Sequence, residues 1–404
     1  MRSRSFAVLV FVAGVAALVV ARPANHGQDP PARSGAPAAT APAAPAQRPP
    51  WHHELPGGNA ESCASAAART LDPPTLAWQL FLIGTPAGVP QPAAPGAGGF
   101  LLTGRSSAGV DAIARSTAAL SGGSPAHIRP LVAVDQEGGS VQALRGPGFS
   151  RIPPATVQGG WPADGLRAAA RRWGTELARA GVSLDLGPVV DVVPAGRAQA
   201  NAPIGALNRQ LGSDVPTVVA AAKSITSGLR DAGIGVVYKH FPGLGTVSAN
   251  TDFRPGVVDP GTGADSPSVD VYRQALPASG ASVMVSTAVY SRLDRQQPAA
   301  FSATVVGRLL RSEIAFGGVV LSDDLANADQ VRSVPAPDRA MRFLSAGGDL
   351  VIAADPRIGK AMYQQVAAAA AKDPRFAAQV RTSALRVLAL KASLGLVDCR
   401  AFAG

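Results

Sequence analysis

The sequence predicts an α/β fold, a (β/α)8 TIM barrel forming a single domain behind a disordered N-terminal linker. Three observations lead there. From about residue 60, short β-branched runs alternate with amphipathic Ala/Leu/Arg segments, the pattern of a parallel sheet covered by helices. The alternation gives eight strands over about 335 residues, a length that suits a barrel with insertions. The prominent polar residues fall at the ends of the apolar runs, where a barrel builds its site. A doubly wound sheet would want a Gly-rich phosphate turn opening an early helix, and no GxGxxG does so.

Strands are expected at residues 79–84, 99–102, 131–135, 183–190, 235–239, 282–286, 318–323 and 349–353. Each is a short apolar run too brief to be a core helix. Helices are expected between them at 108–120, 163–180, 215–232, 269–276, 303–314 and 338–346. Two closing helices follow at 359–371 and 374–393. No internal repeat is visible. The folded domain is placed at 59–400.

Composition narrows the function classes. The chain has 404 residues with 47% hydrophobic and 16% charged, too apolar for a wholly disordered protein. Gly and Pro are abundant, but no Gly-every-third pattern exists, so collagen is excluded. A net charge of +10 suggests affinity for polyanions. The basic residues are scattered and mostly Arg, however, whereas nucleic-acid binding calls for clustering. An Arg-biased composition is the simpler account, and no nucleic-acid partner is expected.

The N-terminus reads as an export signal. Arg2 and Arg4 precede an apolar run from Phe6 to Ala21, with Val19 and Ala21 suited to signal-peptidase cleavage. The run is shorter than the roughly 20 residues of a spanning helix, which favours a cleaved signal at 1–21 over an anchor. Residues 22–58 are Pro/Ala-rich and read as a disordered spacer. The product is expected to be secreted or attached to the cell surface or wall. Membrane contact is expected only through an uncleaved N-terminal anchor. Two cysteines, Cys63 and Cys399, flank the folded region. Export to an oxidising compartment favours their pairing, and a barrel brings its two ends together.

Three segments carry chemistry. VAVDQEGG places Asp135 at the end of the third strand, a carboxylate able to accept hydrogen bonds from sugar hydroxyls, before two turn-forming glycines. A helix-capping acidic turn is the blander explanation. VVYKHFPG puts Lys239 and His240 at the end of the fifth strand. Neighbours on a strand point to opposite sides, so at least one faces the barrel axis. A lone His is usually core packing, but a Lys there is costly to bury unpaired. The following GTVSANTDF reads as a long mobile loop containing one carboxylate, Asp252. GGVVLSDDL places Asp323 at the end of the seventh strand, a candidate nucleophile or metal ligand, with Asp324 turned outward or capping the next segment. No ligand spacing accompanies it, so no metal is expected.

DQEGG, KHFPG and SDDL, in this order and at these strand ends, resemble the catalytic barrel of glycoside hydrolase family 3. About 80 residues follow Asp323, so the sequence is similar to the single-domain β-N-acetylglucosaminidases of that family (the NagZ type). The resemblance spans about residues 60–396. It implies a retaining double displacement, with Asp323 as nucleophile and Asp135, Lys239 and His240 as sugar-binding residues. NAPIGALNRQLG resembles a family segment that makes Arg209 a substrate-binding candidate. No cofactor is implied.

Two departures stand out. The family loop after KHFPG carries Asp-Ser-His, whose His is the general acid/base. Here it reads Asn250-Thr251-Asp252, so Asp252 stands in that place, and the family's Gly-His-Gly is Gly243-Leu244-Gly245. A family Arg falls on Ala143, with Arg145 two places on as its candidate replacement. A carboxyl can serve as acid/base if burial or the nucleophile raises its pKa. The expected function is hydrolysis of terminal β-N-acetylhexosaminides of cell-wall or peptidoglycan-derived glycans by a monomeric enzyme, with carbohydrate as its partner. The alternatives are a β-glucosidase or other β-glycosidase on the same barrel, and a catalytically silent surface barrel that binds glycans.

Overall fold

A computed structural model describes residues 60–89 and 96–402. The expected signal at 1–21 and linker at 22–58 lie outside the described residues. Eight parallel strands close into a barrel. They are β1 (Phe81–Pro86), β2 (Gly99–Thr103), β3 (Leu131–Val134), β4 (Leu184–Asp185), β5 (Gly235–Phe241), β6 (Ser282–Val285), β7 (Val320–Asp324) and β8 (Leu350–Ala353). Each pairs with its sequence neighbours, and the ring closes where Phe81 of β1 registers with Val351 of β8. Residues of β3, β6 and β8 are buried throughout. Strands covered on both faces read as continuous apolar runs, which is why the sequence exposes them.

All eight expected strands form, with shifted ends. The fourth is the shortest. Regular pairing stops at Asp185 because the chain then enters Gly187-Pro188, and proline has no N–H for the ladder. Pairing resumes as an isolated bridge from Val189 to Lys239.

Helices wrap the outside. α1 (Ala60–Thr70) and α2 (Pro73–Trp78) precede the barrel and were not expected. α2 is only six residues, too short for a helical period to show. α3 (Val110–Ala119), α4 (Ala163–Arg179) and α5 (Val215–Asp231) follow the expected segments. Asp214 caps α5 by accepting the Thr217 N–H at 2.9 Å, satisfying one of the unpaired donors of the first turn. α6 (Pro267–Ala275) comes next. The segment expected as a helix at 303–314 winds more widely. It is π-helical over Thr304–Glu313, with Arg308 N–H on Ala303 O and Ile314 N–H on Leu309 O. α7 (Ala336–Ser345), α8 (Pro356–Lys372) and α9 (Pro374–Ser393) finish the fold. Asp373 both ends α8 and caps α9, since Pro374 stops one helix and suits the first turn of the next.

The two ends of the described domain meet. α1 packs on α9, and Cys63 and Cys399 form a disulfide across 336 residues with a Cα–Cα distance of 5.3 Å. Two buried polar groups tie this side to the strands. Asp349, fully buried before β8, accepts the Val320 N–H and pairs with Arg311 and with Arg386. Lys391 of α9 is buried and donates to Gln79 Oε1 at 2.6 Å. Desolvation lowers its pKa to about 7.

Candidate active site

At the C-terminal ends of the strands lies an open cavity of about 430 Å³. Asp135, Arg209, Lys239, His240, Asp252 and Asp323 all line it. They come from the tips of β3, β5 and β7 and from the loops after β4 and β5. The barrel therefore collects residues that are far apart in sequence into one wall.

The floor is an ion network. Lys239 Nζ lies 2.6 Å from Asp135 Oδ1 and 2.7 Å from Glu137 Oε1. Arg209 grips both oxygens of Glu137 at 2.8 and 2.7 Å, and its Nη1 donates to Pro203 O at 2.8 Å. Glu137 is 4% exposed and Lys239 2%, whereas Asp135 is 40% exposed. Glu137 is thus the internal anchor, and Asp135 is the acceptor left facing the cavity. Burial would raise the Glu137 carboxyl, but Arg209 and Lys239 outweigh it and hold it at about 2. Burial would likewise lower Lys239, but Asp135 and Glu137 drive it upward, so the ammonium stays charged. Nearby, Asp185 at the end of β4 accepts the Gln136 N–H at 3.2 Å. Burial, only partly offset by Lys239, raises its carboxyl to about 7.

His240 also faces the cavity. Simple alternation would send one of Lys239 and His240 away, but the pairing register shifts between Lys239 and Phe241, and both line the wall. Asp191, 1% exposed, fixes the ring: its Oδ2 lies 2.8 Å from His240 Nδ1. Its other oxygen accepts the N–H groups of His240 at 3.2 Å and Leu244 at 2.7 Å. Tight chain packing follows. A Cβ on Gly245 would lie 1.8 Å from Val192 O, so only glycine lets the two loops touch there.

Asp323 and Asp324 end β7. Asp323 Oδ1 accepts the Asp324 N–H at 2.9 Å. Asp324 accepts the N–H groups of Ala326 at 2.9 Å and Ala354 at 3.0 Å, joining the β7 and β8 tips while also lining the cavity. Its carboxyl is raised, mainly by burial.

Asp252 sits on the loop after β5. The residue is exposed, yet its carboxyl stands at the cavity wall. Lost solvation there, and next the Asp323 carboxylate, push it up to about 6 against the pull of His240 and Arg209. The loop was expected to be mobile, but it is tied down. Asn201 Nδ2 donates to Leu244 O at 2.7 Å and Val247 O at 2.8 Å. The Thr246 hydroxyl bonds to buried Asp259. Asp329 and Gln330 N–H groups reach Asp252 O at 3.2 Å and Thr251 O at 3.1 Å.

One expectation is corrected. Arg145 is exposed and does not line the cavity; its guanidinium turns to Gln142 O and Gly139 O, both at 3.1 Å. The cation on that wall is Arg105, after β2, bonded to Ser140 O at 2.8 Å. Sequence reasoning also assigned no role to Glu137, Asp185 and Asn201. Glu137 lies inside the DQEGG motif, so the need of buried Lys239 for a second carboxylate could have marked it. Asp185 and Asn201 carry no local signal.

Known proteins resemble this chain in sequence and in fold. The family model described as glycosyl hydrolase family 3 N terminal domain matches residues 93–390. A β-hexosaminidase of Alkalilimnicola ehrlichii is 34% identical over 233 residues, 55% of this chain and 64% of that protein. The chain thus covers less than two thirds of that relative. The crystal structure of a β-N-acetylhexosaminidase from Beutenbergia cavernae superposes with a TM-score of 0.77 at 45% identity, covering 80% of this chain and 99% of that one. A family 3 glycosyl hydrolase from Mycobacterium smegmatis gives a TM-score of 0.69 at 27% identity, covering 80% and 98%. With the family model spanning well over half the residues, this chain belongs to glycoside hydrolase family 3.

Proposed function

We propose that the protein is an exported, retaining β-N-acetylhexosaminidase acting on terminal β-linked amino sugars of cell-wall or peptidoglycan-derived glycans. The observation that carries this reading is the pair Asp252 and Asp323 on one cavity, with Asp252 held near pKa 6 by desolvation and by Asp323. Two like carboxyls in different surroundings divide into an acid and a nucleophile. In the first step Asp252 protonates the glycosidic oxygen while Asp323 attacks the anomeric carbon, forming a glycosyl-enzyme. In the second, the Asp252 carboxylate takes a proton from water, which displaces Asp323. Asp135, Lys239, His240 and Arg209 hold the sugar hydroxyls. The names of the Alkalilimnicola and Beutenbergia relatives support the amino-sugar substrate. The Cys63–Cys399 disulfide supports export, since such bonds persist in oxidising compartments.

The test is hydrolysis of aryl β-glycosides (N-acetylglucosaminide, glucoside, xyloside, galactoside), with Asp323→Asn as control. The proposal expects turnover of the N-acetylglucosaminide that vanishes in the variant. Preference for the glucoside would make the protein a β-glucosidase. Binding of glycans with no turnover would make it a silent barrel.

A further inference from the structure

We propose that Gln330 is a positioning residue for the reaction, clasping the loop that carries Asp252 against the end of β7 so that Asp252 stays beside Asp323. The inference rests on the acid/base reading of Asp252 and adds the device that enforces it. Gln330 follows β7 in a short helical turn, Asp329–Val331, and is 8% exposed. Its side-chain oxygen accepts the Val257 N–H at 2.8 Å and its Nε2 donates to Val257 O at 3.1 Å. One amide therefore meets both backbone groups of Val257, whose O also accepts the Val289 N–H at 3.0 Å. Its own backbone N–H reaches Thr251 O at 3.1 Å, and the Asp329 N–H reaches Asp252 O at 3.2 Å. The clasp thus grips the loop on both sides of its exposed tip, at 251–252 and at 257.

Within the tip the bonds are local: Asn250 Oδ1 accepts the Asp252 N–H at 2.9 Å and Asn250 O accepts the Phe253 N–H at 3.2 Å. Residues 252–256 are exposed, and Phe253 is 74% exposed, so little apolar burial holds them in place. The bonds to Asn201 and Asp259 secure only the residues before and after this stretch. Thr251, by contrast, is 2% exposed where it meets Gln330. Because Asp323 and Gln330 follow from the same strand end, the clasp gives the nucleophile and the acid a common base. The charged groups that act on the Asp252 carboxyl across the shared cavity include Asp323, His240, Arg209 and Asp324. Releasing the loop would move Asp252 away from them and into water, returning its carboxyl towards the ordinary range.

The experiment compares wild type, Gln330→Ala and Gln330→Met, the last keeping length and apolar contact if alanine impairs folding. Phenyl and 2,4-dinitrophenyl N-acetyl-β-glucosaminides differ in how far the leaving oxygen needs protonation. The clasp predicts that kcat/KM falls at least about tenfold for the phenyl glycoside and less than about threefold for the dinitrophenyl one. The basic limb of the phenyl profile moves to lower pH, because loss of burial and of Asp323 lowers the acid's pKa. Equal losses on both substrates with an unmoved limb, or unchanged kinetics, overturn the proposal. Backbone hydrogen exchange over residues 248–256 gives a reading independent of turnover. Faster exchange in both variants supports the clasp, and unchanged exchange overturns it even if wild type proves silent. Failure of the acid/base reading shows separately, as a basic limb that persists in Asp252→Asn.

Discussion

In the proposed mechanism, environment gives two identical side chains, Asp252 and Asp323, different work. Asp252, raised to about 6 by desolvation and by its neighbour, is protonated below that pH. The kcat/KM for hydrolysis is therefore expected to fall as pH rises through about 6, a limb absent from Asp252→Asn. That variant is also expected to lose about 10²- to 10⁴-fold in kcat/KM on a phenyl glycoside, measured by initial rates, with much less loss on a dinitrophenyl one. Glu137 is the opposite case, a carboxylate held at about 2 by Arg209 and Lys239. A depressed pKa contributes stability that is present above the unfolded value of 4.5 and lost as pH falls through 2. Glu137→Ala takes the carboxylate from buried Arg209 and leaves Lys239 with Asp135 alone, and it should cost about 3–5 kcal/mol in urea unfolding at neutral pH. Glu137→Gln tests whether hydrogen bonding without charge suffices; a variant as stable as wild type would count against the ion network as the anchor.

At the scale of elements, loops and closing helix carry the decisions. The loop after β4 supplies Arg209 and, through Asn201, holds the loop after β5. Asn201→Ala is expected to lower kcat/KM and speed hydrogen exchange at residues 244–248 with little change in unfolding midpoint, because it frees a loop and leaves the barrel closed. The closing helix α9 has its own titration. Lys391, depressed to about 7 by burial, binds a proton in the unfolded chain up to about its ordinary 10.5 but not in the fold. Stability should therefore rise with pH between about 7 and 10, by about 1.4 kcal/mol per unit at most. Lys391→Met should flatten that rise in urea unfolding; an undiminished slope would place its origin elsewhere.

For the molecule as a whole, a barrel must bring its first and last strands together, and the disulfide reinforces that closure. The chain-entropy argument gives an upper figure of about 5–6 kcal/mol for so long a loop. The paired substitution Cys63→Ser with Cys399→Ser should lower unfolding stability by up to that amount while leaving glycosidase activity nearly unchanged at low temperature, since the site lies with the strand tips. A large loss of kcat in the folded variant would contradict this separation of closure from chemistry.

What the sequence determined by itself was local and periodic. Eight short apolar runs marked the strands, because burial on both faces demands continuous apolar residues. The order of DQEGG, KHFPG and SDDL placed Asp135, Lys239, His240 and Asp323 at strand ends, and only a barrel puts strand ends around one mouth. The leading helix α2 left no signal, because six residues are too few to show a helical period. The π-helical winding of Thr304–Glu313 left no trace in its amphipathic pattern. Tertiary structure alone decided which charges meet. Lys239 and Asp135 are 104 residues apart yet 2.6 Å apart in space. It turned Arg145 to backbone carbonyls and brought Arg105 to the wall instead. It also converted an expected mobile loop into a clasped one that holds Asp252 beside Asp323. Pattern is carried by neighbouring residues, so a sequence displays it. A pKa, an ion network or a clasp is a sum over groups brought close by folding, and it exists only once the chain has closed on itself.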